Sequence, residues 1–575
     1  MSAMLDLAEQ AFARGDYLAA YDAARRAAAE HGAPVRARYL EVLAAARLGD
    51  AEGALDLYRR RGLDAEQDTD CLSLGARLLK DQAFALDGAA RAQKLRAAAG
   101  AYEAVAGRTR DAFPAVNAAS LWYLAGEIGR AHDIAAELIR GGRAATPASY
   151  YEAATLAEAL LVAGEVEAAI QAAGAALRTA GSTIAARAST VTQLDRLAAA
   201  LPAARAVADL LRPPAVAMFC GHIFCPDPDV EARLAREIDA AIAARDIGIG
   251  YGAPAAGADI LIAERILAAD GELNLVLPFC EADFIDSSIR PAGEAWLDRY
   301  ERVKARAVAL SYATRADHVG DPSQFAYGAD VAMGLARVRA AHLRAHAVQL
   351  AVWDGKPGGI AGTGRDVRRW RESGGETIVI AAGELPRPSY PPPAPRDDHR
   401  ELRGLLFTDF PGFSKLSESA LPAFWADVMH AAGAMLDRHG AQVLSRNTWG
   451  DAIHAVLATA SGAAELALDL QSALAAADTS RLGIVGTAQM RISLHFGPVF
   501  RGVDPVTGVH GFYGSEVSRA ARVEPVTPPG SVYVSEPVAA VLALEAPERY
   551  ACAFVGTVAL PKGFGAFPLY ALRRR

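Results

Sequence analysis

Two aspartates, Asp409 and Asp451, stand where a pair of catalytic cations could be held. Asp409 closes the run Leu405-Leu406-Phe407-Thr408 and is followed by Phe410-Pro411-Gly412-Phe413-Ser414. This pattern predicts a buried strand that delivers a carboxylate at its end, then a tight turn opening a helix near Ser414. The turn can offer backbone amides to phosphate oxygens, and Asp409 can ligate a divalent cation through oxygen. Downstream, Gln442 to Thr448 and Asp451 to Leu457 read as paired strands around a Trp449-Gly450 turn. Asp451 starts the returning strand, 42 positions after Asp409, and an antiparallel layout lets the two acids meet. Two carboxylates facing one pocket repel each other unless cations fill it, so a metal pair is a reasonable inference. A single strand-end aspartate is more often a cap or turn residue. The motifs that follow in order are what change the reading.

Gln489 to Phe496 reads as a strand turned by Gly497-Pro498-Val499. Gly514 then leads into a helix, Ser515-Glu516-Val517-Ser518-Arg519-Ala520-Ala521-Arg522, and Pro529 to Ser535 is a further strand. Pro561-Lys562-Gly563 lies near the end; Lys562 is one of only six lysines in a chain that otherwise uses arginine for positive charge.

Phe407 to Ser414, Gly450-Asp451, Arg491 to Gly497, Gly514 to Arg522 and Leu560 to Gly563 together resemble the class III adenylate/guanylate cyclases. The resemblance spans nearly all of residues 400–575 and implies an α+β, ferredoxin-like fold that works as a homodimer with sites at the interface. It implies that Asp409 and Asp451 bind two Mg2+ or Mn2+ ions per active site. One ion would activate the ribose 3′-hydroxyl of a nucleoside triphosphate, and both would clamp the phosphates. Arg522 would come from the partner copy and stabilise transition-state charge. Phe410, Gly412 and Phe413 would offer amides to phosphate, and Lys562 would contact the triphosphate. Three positions depart from the family pattern. Ser518 stands where a ribose-orienting asparagine is usual. The base-selecting positions hold Asn447 and Gly511 instead of the usual selectors, and an amide both donates and accepts, so no base is chosen. ATP is favoured only because it is the commoner substrate.

Other elements must position and regulate this site. Residues 1–210 are rich in the helix formers Ala, Leu, Glu and Arg. A turn signal recurs at Gly15-Asp16, Gly49-Asp50, Gly126-Glu127 and Gly164-Glu165, the first interval being 34 residues. This resembles tetratricopeptide repeats stacked into an α-solenoid, with a protein partner for the repeats as the implied role. After Arg212-Pro213-Pro214 the texture becomes alternating strands and helices over 214–384, with strands at Ala215–Cys220, Leu273–Leu277, Val348–Trp353 and Thr377–Ala381. That implies a Rossmann-like α/β parallel sheet. Gly257, Asp259 and Glu264, and the loop of Gly358, Gly359, Gly362 and Thr363, form a candidate sensor pocket. The segment resembles the Rossmann-like nucleotide sensors that include lysine-decarboxylase-like phosphoribohydrolases. A nucleotide ligand is implied, with Asp366 replacing their glutamate. A Pro-rich spacer at 385–399 joins this segment to the cyclase-like one.

Composition bounds the function classes. The net charge is −8 with 22% charged residues, which argues against a dedicated nucleic-acid binder. No apolar stretch approaches a membrane span, and the five scattered cysteines fit a reduced, cytoplasmic setting. The leading expectation is a regulated nucleotide cyclase. The alternatives are a cyclase-like regulator that binds nucleotide without turnover, or a repeat scaffold in a bacterial stress or conflict response.

Overall fold

The computed structural model describes residues 3–30, 32–143, 147–389, 400–477, 482 and 489–575. These form two compact units, Met1–Pro214 with Ala341–Ala345, and Ala215–Ala340 with His346–Arg575. Of the proline-rich spacer, residues 390–399 lie outside the described residues.

The first unit is helical: α1 (Ala3–Ala13), α2 (Tyr17–Ala28), α3 (Val35–Arg47), α4 (Ala51–Arg60), α5 (Thr69–Ala83), α6 (Gly88–Thr109), α7 (Ala112–Leu124), α8 (Ile128–Arg143), α9 (Tyr150–Val162), α10 (Val166–Leu177), α11 (Ile184–Leu197) and α12 (Ala204–Leu211). The recurring turn explains the pairing of helices. Gly15, Gly49, Gly126 and Gly164 all adopt positive φ, the left-handed cap that ends a helix at no steric cost. The acid that follows starts the next helix. Asp16 accepts from the Ala19 amide and Asp50 from the Gly53 amide, both at 3.1 Å, capping the exposed N–H groups. Alanines such as Ala20, Ala44, Ala118 and Ala157 are buried between helices, where a small side chain permits close axial packing.

The second unit holds two sheets. The first is parallel, six strands in the order β4-β3-β2-β1-β5-β6: β1 (Ala215–Gly221), β2 (Ile247–Gly252), β3 (Glu272–Leu277), β4 (Ala309–Tyr312), β5 (Ala347–Trp353) and β6 (Glu376–Ala381). Its helices are α13 (Pro228–Arg245), α14 (Ala258–Ala268), α15 (Glu281–Ser288), α16 (Glu294–Arg306), α17 (Ser323–Leu343) and α18 (Thr363–Glu372). Two strands were not expected. β2 reads Ile-Gly-Ile-Gly-Tyr-Gly, a composition that suggests a loop. The glycines are there because Phe219 and Ile266 lie against them: a Cβ on Gly252 would meet the Phe219 ring at 2.7 Å. β4 has only four residues and too little sequence to show a period.

The second sheet has eight strands, in the order β13-β14-β12-β10-β7-β9-β8, with β11 paired to β10. They are β7 (Arg400–Asp409), β8 (Val443–Trp449), β9 (Ala452–Leu457), β10 (Arg491–Val503), β11 (His510–Tyr513), β12 (Val532–Ser535), β13 (Tyr550–Leu560) and β14 (Gly565–Arg574). α19 (Leu421–Ala423) continues through a π-helical turn at Phe424–Met429 into α20 (His430–Arg438), between β7 and β8. α21 (Ala460–Ala475) joins β9 to β10, and α22 (Ser515–Val523) and α23 (Glu536–Glu545) follow. The first four strands and two crossovers make a β-α-β-β-α-β unit with β7 and β9 central.

One turn expected from sequence is absent. β10 runs straight through Gly497-Pro498, with Pro498 opposite Leu402 of β7. On its other edge β10 pairs with β12 only over Ile492 to Leu494, and with β11 only from Phe500. Among the described residues no strand flanks that edge at Pro498, a position that tolerates a residue without an N–H.

Candidate active site

The first aspartate is placed by β7. Leu405 and Leu406 are fully buried, and Gly404 is required because a Cβ there would meet Ala463 and the Thr459 carbonyl at 2.8 Å. β7 pairs with β9 so that Thr408 faces Ile453, and the Thr408 hydroxyl accepts from the Ile453 amide at 3.1 Å. That register carries Asp409, one residue on, to the level of the β8–β9 turn. Asp451 sits in this turn after Gly450, which has φ 62°. The Asp451 carboxylate accepts from the Phe410 amide at 3.1 Å. The two acids thus meet at one end of adjacent strands.

Their electrostatics are those of crowded acids. Burial and the Asp451 charge push the Asp409 carboxyl above its usual range, and Arg491 only partly opposes this. Arg491 faces Asp409 across the β7–β10 ladder, at 3.7 Å. Sequence reasoning gave Arg491 no role and missed a third acid. Glu524, just past α22, lies 3.8 Å from Arg491. Burial and the two aspartates raise its carboxyl to about 7, and its Oε1 is buried with no hydrogen-bond partner. Three acids against one guanidinium, with Glu524 Oε1 in ion-pair range of Arg491 but without a hydrogen bond, fit an oxygen-ligated divalent cation. The signal available in sequence was the position of Glu524 two residues after Arg522.

The turn after Asp409 is tight. Gly412 has φ 92°, and Phe410 and Phe413 both pack on Phe424 at ring distances of 5.0 and 4.9 Å. The Phe413 amide already donates to the Phe410 carbonyl at 3.1 Å, and that of Phe410 is held by Asp451. Two of the amides expected to face phosphate are therefore engaged within the turn.

The other expected residues lie on separate elements. Ser518 and Arg522 sit one turn apart on α22; Ser518 is exposed, and the Arg522 Nε is buried without a partner. Asn447 is exposed on β8, its side chain accepting from the Thr448 amide at 2.8 Å. Gly511 pairs with Gly502 in the β10–β11 ribbon. Lys562 is exposed at the β13–β14 turn with φ 60°. Among the described residues no hydrogen bond or ion pair links these five to Asp409 or Asp451.

α22 is anchored at its start. Glu516 is fully buried and accepts from the Thr314 hydroxyl at 2.5 Å. It also meets His495 Nε2 at 2.6 Å and Arg519 at 3.0 Å, and these donors hold its carboxyl down at about 2. Thr314 follows β4, so the parallel sheet contributes directly to the seating of α22. Tyr327 of α17 adds a bond to the Phe496 carbonyl at 2.7 Å.

The residues expected to form a sensor pocket divide. A cavity of about 500 Å³ opens at the carboxyl ends of β1 and β5, lined by Gly221, Asp259, Gly362, Thr363 and Asp366 among others. Such crevices are the usual ligand sites of parallel sheets. Asp259 is 8% exposed, and its Oδ1 has no partner. Burial and Asp366 push its carboxyl well up, and burial raises Asp366 to about 7. Gly257, Glu264, Gly358 and Gly359 do not line this cavity. Glu264 is bound through both oxygens to Arg299, at 2.8 and 2.5 Å, and Gly257 serves the chain path, since a Cβ would meet Phe224 at 2.7 Å.

Residues 398–573 match the family described as adenylate and guanylate cyclase catalytic domain, and residues 16–122 match tetratricopeptide repeats-sensor. No curated protein matches the chain. Solved structures similar to it include the guanylate cyclase domain of RhGC from Catenaria anguillulae in complex with GTP. That domain is 22% identical, covering 30% of this chain and 97% of that one at a TM-score of 0.27. Adenylate cyclases from Trypanosoma brucei in their monomeric state are also similar, at 21% identity, 30% and 87% coverage, and a TM-score of 0.24. No helix among the described residues is long and apolar enough to cross a membrane. The chain thus carries a class III adenylate/guanylate cyclase catalytic domain at residues 398–573 and tetratricopeptide sensor repeats at residues 16–122.

Proposed function

We propose that this protein cyclises a nucleoside triphosphate, ATP first among the candidates, to a 3′,5′-cyclic nucleotide and pyrophosphate. The observation that carries the reading is the meeting of Asp409 and Asp451 at the ends of adjacent strands, linked through the Phe410 amide. The ribose 3′-oxygen forms a bond to the α-phosphorus, the bond from that phosphorus to the bridging oxygen breaks, and pyrophosphate leaves. Asp409 and Asp451 would hold Mg2+ or Mn2+, which supplies charge neutralisation at the phosphates and acidifies the hydroxyl.

The chain's own residues orient the reactants. Arg491 steadies Asp409 from the neighbouring strand, and the Glu516 network fixes the helix that presents Ser518 and Arg522. Those two residues, with Asn447, Gly511 and Lys562, are assigned to a site completed by a second copy of the chain. Arg522 then offsets charge developing on the α-phosphoryl oxygens. The cleft beside Asp259 is assigned to a regulatory ligand, a nucleotide being the class that the sequence favours.

Ser518 and the engaged Phe410 and Phe413 amides favour a second reading, nucleotide binding without turnover. One assay separates them. The protein is incubated with Mn2+ and each of the four nucleoside triphosphates, and products are identified by mass spectrometry. A cyclic product lost in Asp451→Ala supports the enzyme. Nucleotide binding with no product from any of the four supports the second reading.

A further inference from the structure

The first unit carries a polar interior that a helical scaffold does not need. Among its described residues every buried polar side chain lies on α3, α5, α7, α9 or α11: Glu41, Ser73, Lys80, Asn117, Ser120, Thr155, Glu158, Thr190 and Gln193. The inner faces of these alternate helices surround a cavity of about 60 Å³, room for a small ion rather than a whole metabolite.

Four basic side chains line it: Arg47 at the end of α3, Arg77 and Lys80 on α5, and Arg196 on α11. Arg77 and Arg196 share one carboxylate, Asp81, at 3.3 and 2.9 Å. Lys80 donates to Asn117 at 2.9 Å and to Gln193 at 3.0 Å. Glu158 is taken up by Ser120 at 2.5 Å and Gln193 at 3.0 Å. No carboxylate pairs with Arg47 among the described residues; it donates to the Ser189 hydroxyl, and its Nε is buried without a partner. Four basic groups face only two acids, Asp81 and Glu158, around this cavity, and burial raises the Glu158 carboxyl as well, so the lining is short of negative charge.

Three of the four bear the cost of this crowding, while Asp81 holds Arg77 above its ordinary value despite burial. Burial and Arg77 depress Arg47, burial depresses Arg196, and burial with Arg196 brings Lys80 down to about 7. Like charges gathered out of water are costly unless an opposite charge joins them. A self-sufficient polar core would have balanced them with acids. Arginine is also the side chain suited to gripping a phosphoryl group.

We infer that the cavity enclosed by α3, α5, α7, α9 and α11 binds a phosphoryl dianion, gripped by Arg47, Arg77, Lys80 and Arg196. The group can arrive as inorganic phosphate or as the phosphate of a small metabolite. For the second source the rim offers rings, since Phe113 and Tyr151 both line the cavity, 38% and 46% exposed, and pack edge to face at 6.2 Å. This site is independent of the cyclase reading.

The test uses the full-length protein, with calorimetric titration and thermal unfolding in inorganic phosphate, in AMP, and in chloride at equal ionic strength. Phosphate is expected to raise the melting temperature above the chloride control. Arg47→Gln and, separately, Lys80→Met are expected to weaken phosphate binding at least tenfold. If AMP binds at least tenfold more tightly than phosphate, and Tyr151→Ala removes that excess, the source is a metabolite. If AMP binds no more tightly, the source is free phosphate. A phosphate effect no larger than that of chloride overturns the inference. So does binding that survives unchanged in both Arg47→Gln and Lys80→Met.

Discussion

Glu516→Gln is the substitution whose consequence is most fully fixed by the structure. The carboxylate is completely buried and accepts from Thr314, His495 and Arg519. Its carboxyl falls from an ordinary 4.5 to about 2, and a depression of that size corresponds to about 3 kcal/mol of folding stability at neutral pH. The folded pKa is the lower one. The contribution is therefore complete above pH 4.5 and disappears as pH falls toward 2. Urea denaturation of wild type and Glu516→Gln at a series of pH values should show a stability gap of about 3 kcal/mol at pH 7 that closes on acidification. Thr314→Val removes one charged hydrogen bond at nearly constant volume and should cost about 1.5–3 kcal/mol. Combined with Glu516→Gln, its effect should shrink, because both act on one bond. A gap that stays constant with pH, or a Thr314→Val cost that adds in full to that of Glu516→Gln, would refute the reasoning.

Three further outcomes follow. Gly334→Ala should destabilise by about 1–3 kcal/mol in urea denaturation, because a Cβ on Gly334 would meet the Ala540 carbonyl oxygen at 2.1 Å, forcing α17 off α23. Wild type should gain stability between pH 7 and 10.5 through Lys80. Its folded pKa of about 7 lies below the ordinary 10.5, so the unfolded chain binds the extra proton in that window, and Lys80→Met should lose this gain. Asp451→Asn should lower cyclisation at least ~100-fold while raising the melting temperature, because it removes a charge that repels Asp409 and Glu524.

The elements that carry Asp409 and Asp451 were legible because Asp409 closes an apolar run and Asp451 opens one, a local pattern. The Gly-Asp turns were legible for the same reason: a left-handed cap and an N-cap are adjacent residues. What escaped were features made by distant contacts. Glu524 joins the acids only because α22 packs on β7 and β10, and Gly497-Pro498 looks like a turn until its strand neighbours are known. The glycines of β2 make sense only beneath Phe219 and Ile266. Glu264 sits in the right stretch of sequence but is claimed by Arg299, 35 residues away. The cationic cavity of the first unit draws Arg47, Arg77, Lys80 and Arg196 from three helices, and no local spacing unites them.

In the proposed enzyme the two aspartates of one chain act with the arginine of another. Asp451→Ala and Arg522→Ala chains, each inactive alone, would be mixed and their cyclic product measured. Recovery toward a quarter of wild-type turnover is expected, since half of randomly mixed dimers carry one intact site. Activity that stays at the level of the single variants in verified mixed dimers would contradict the shared site.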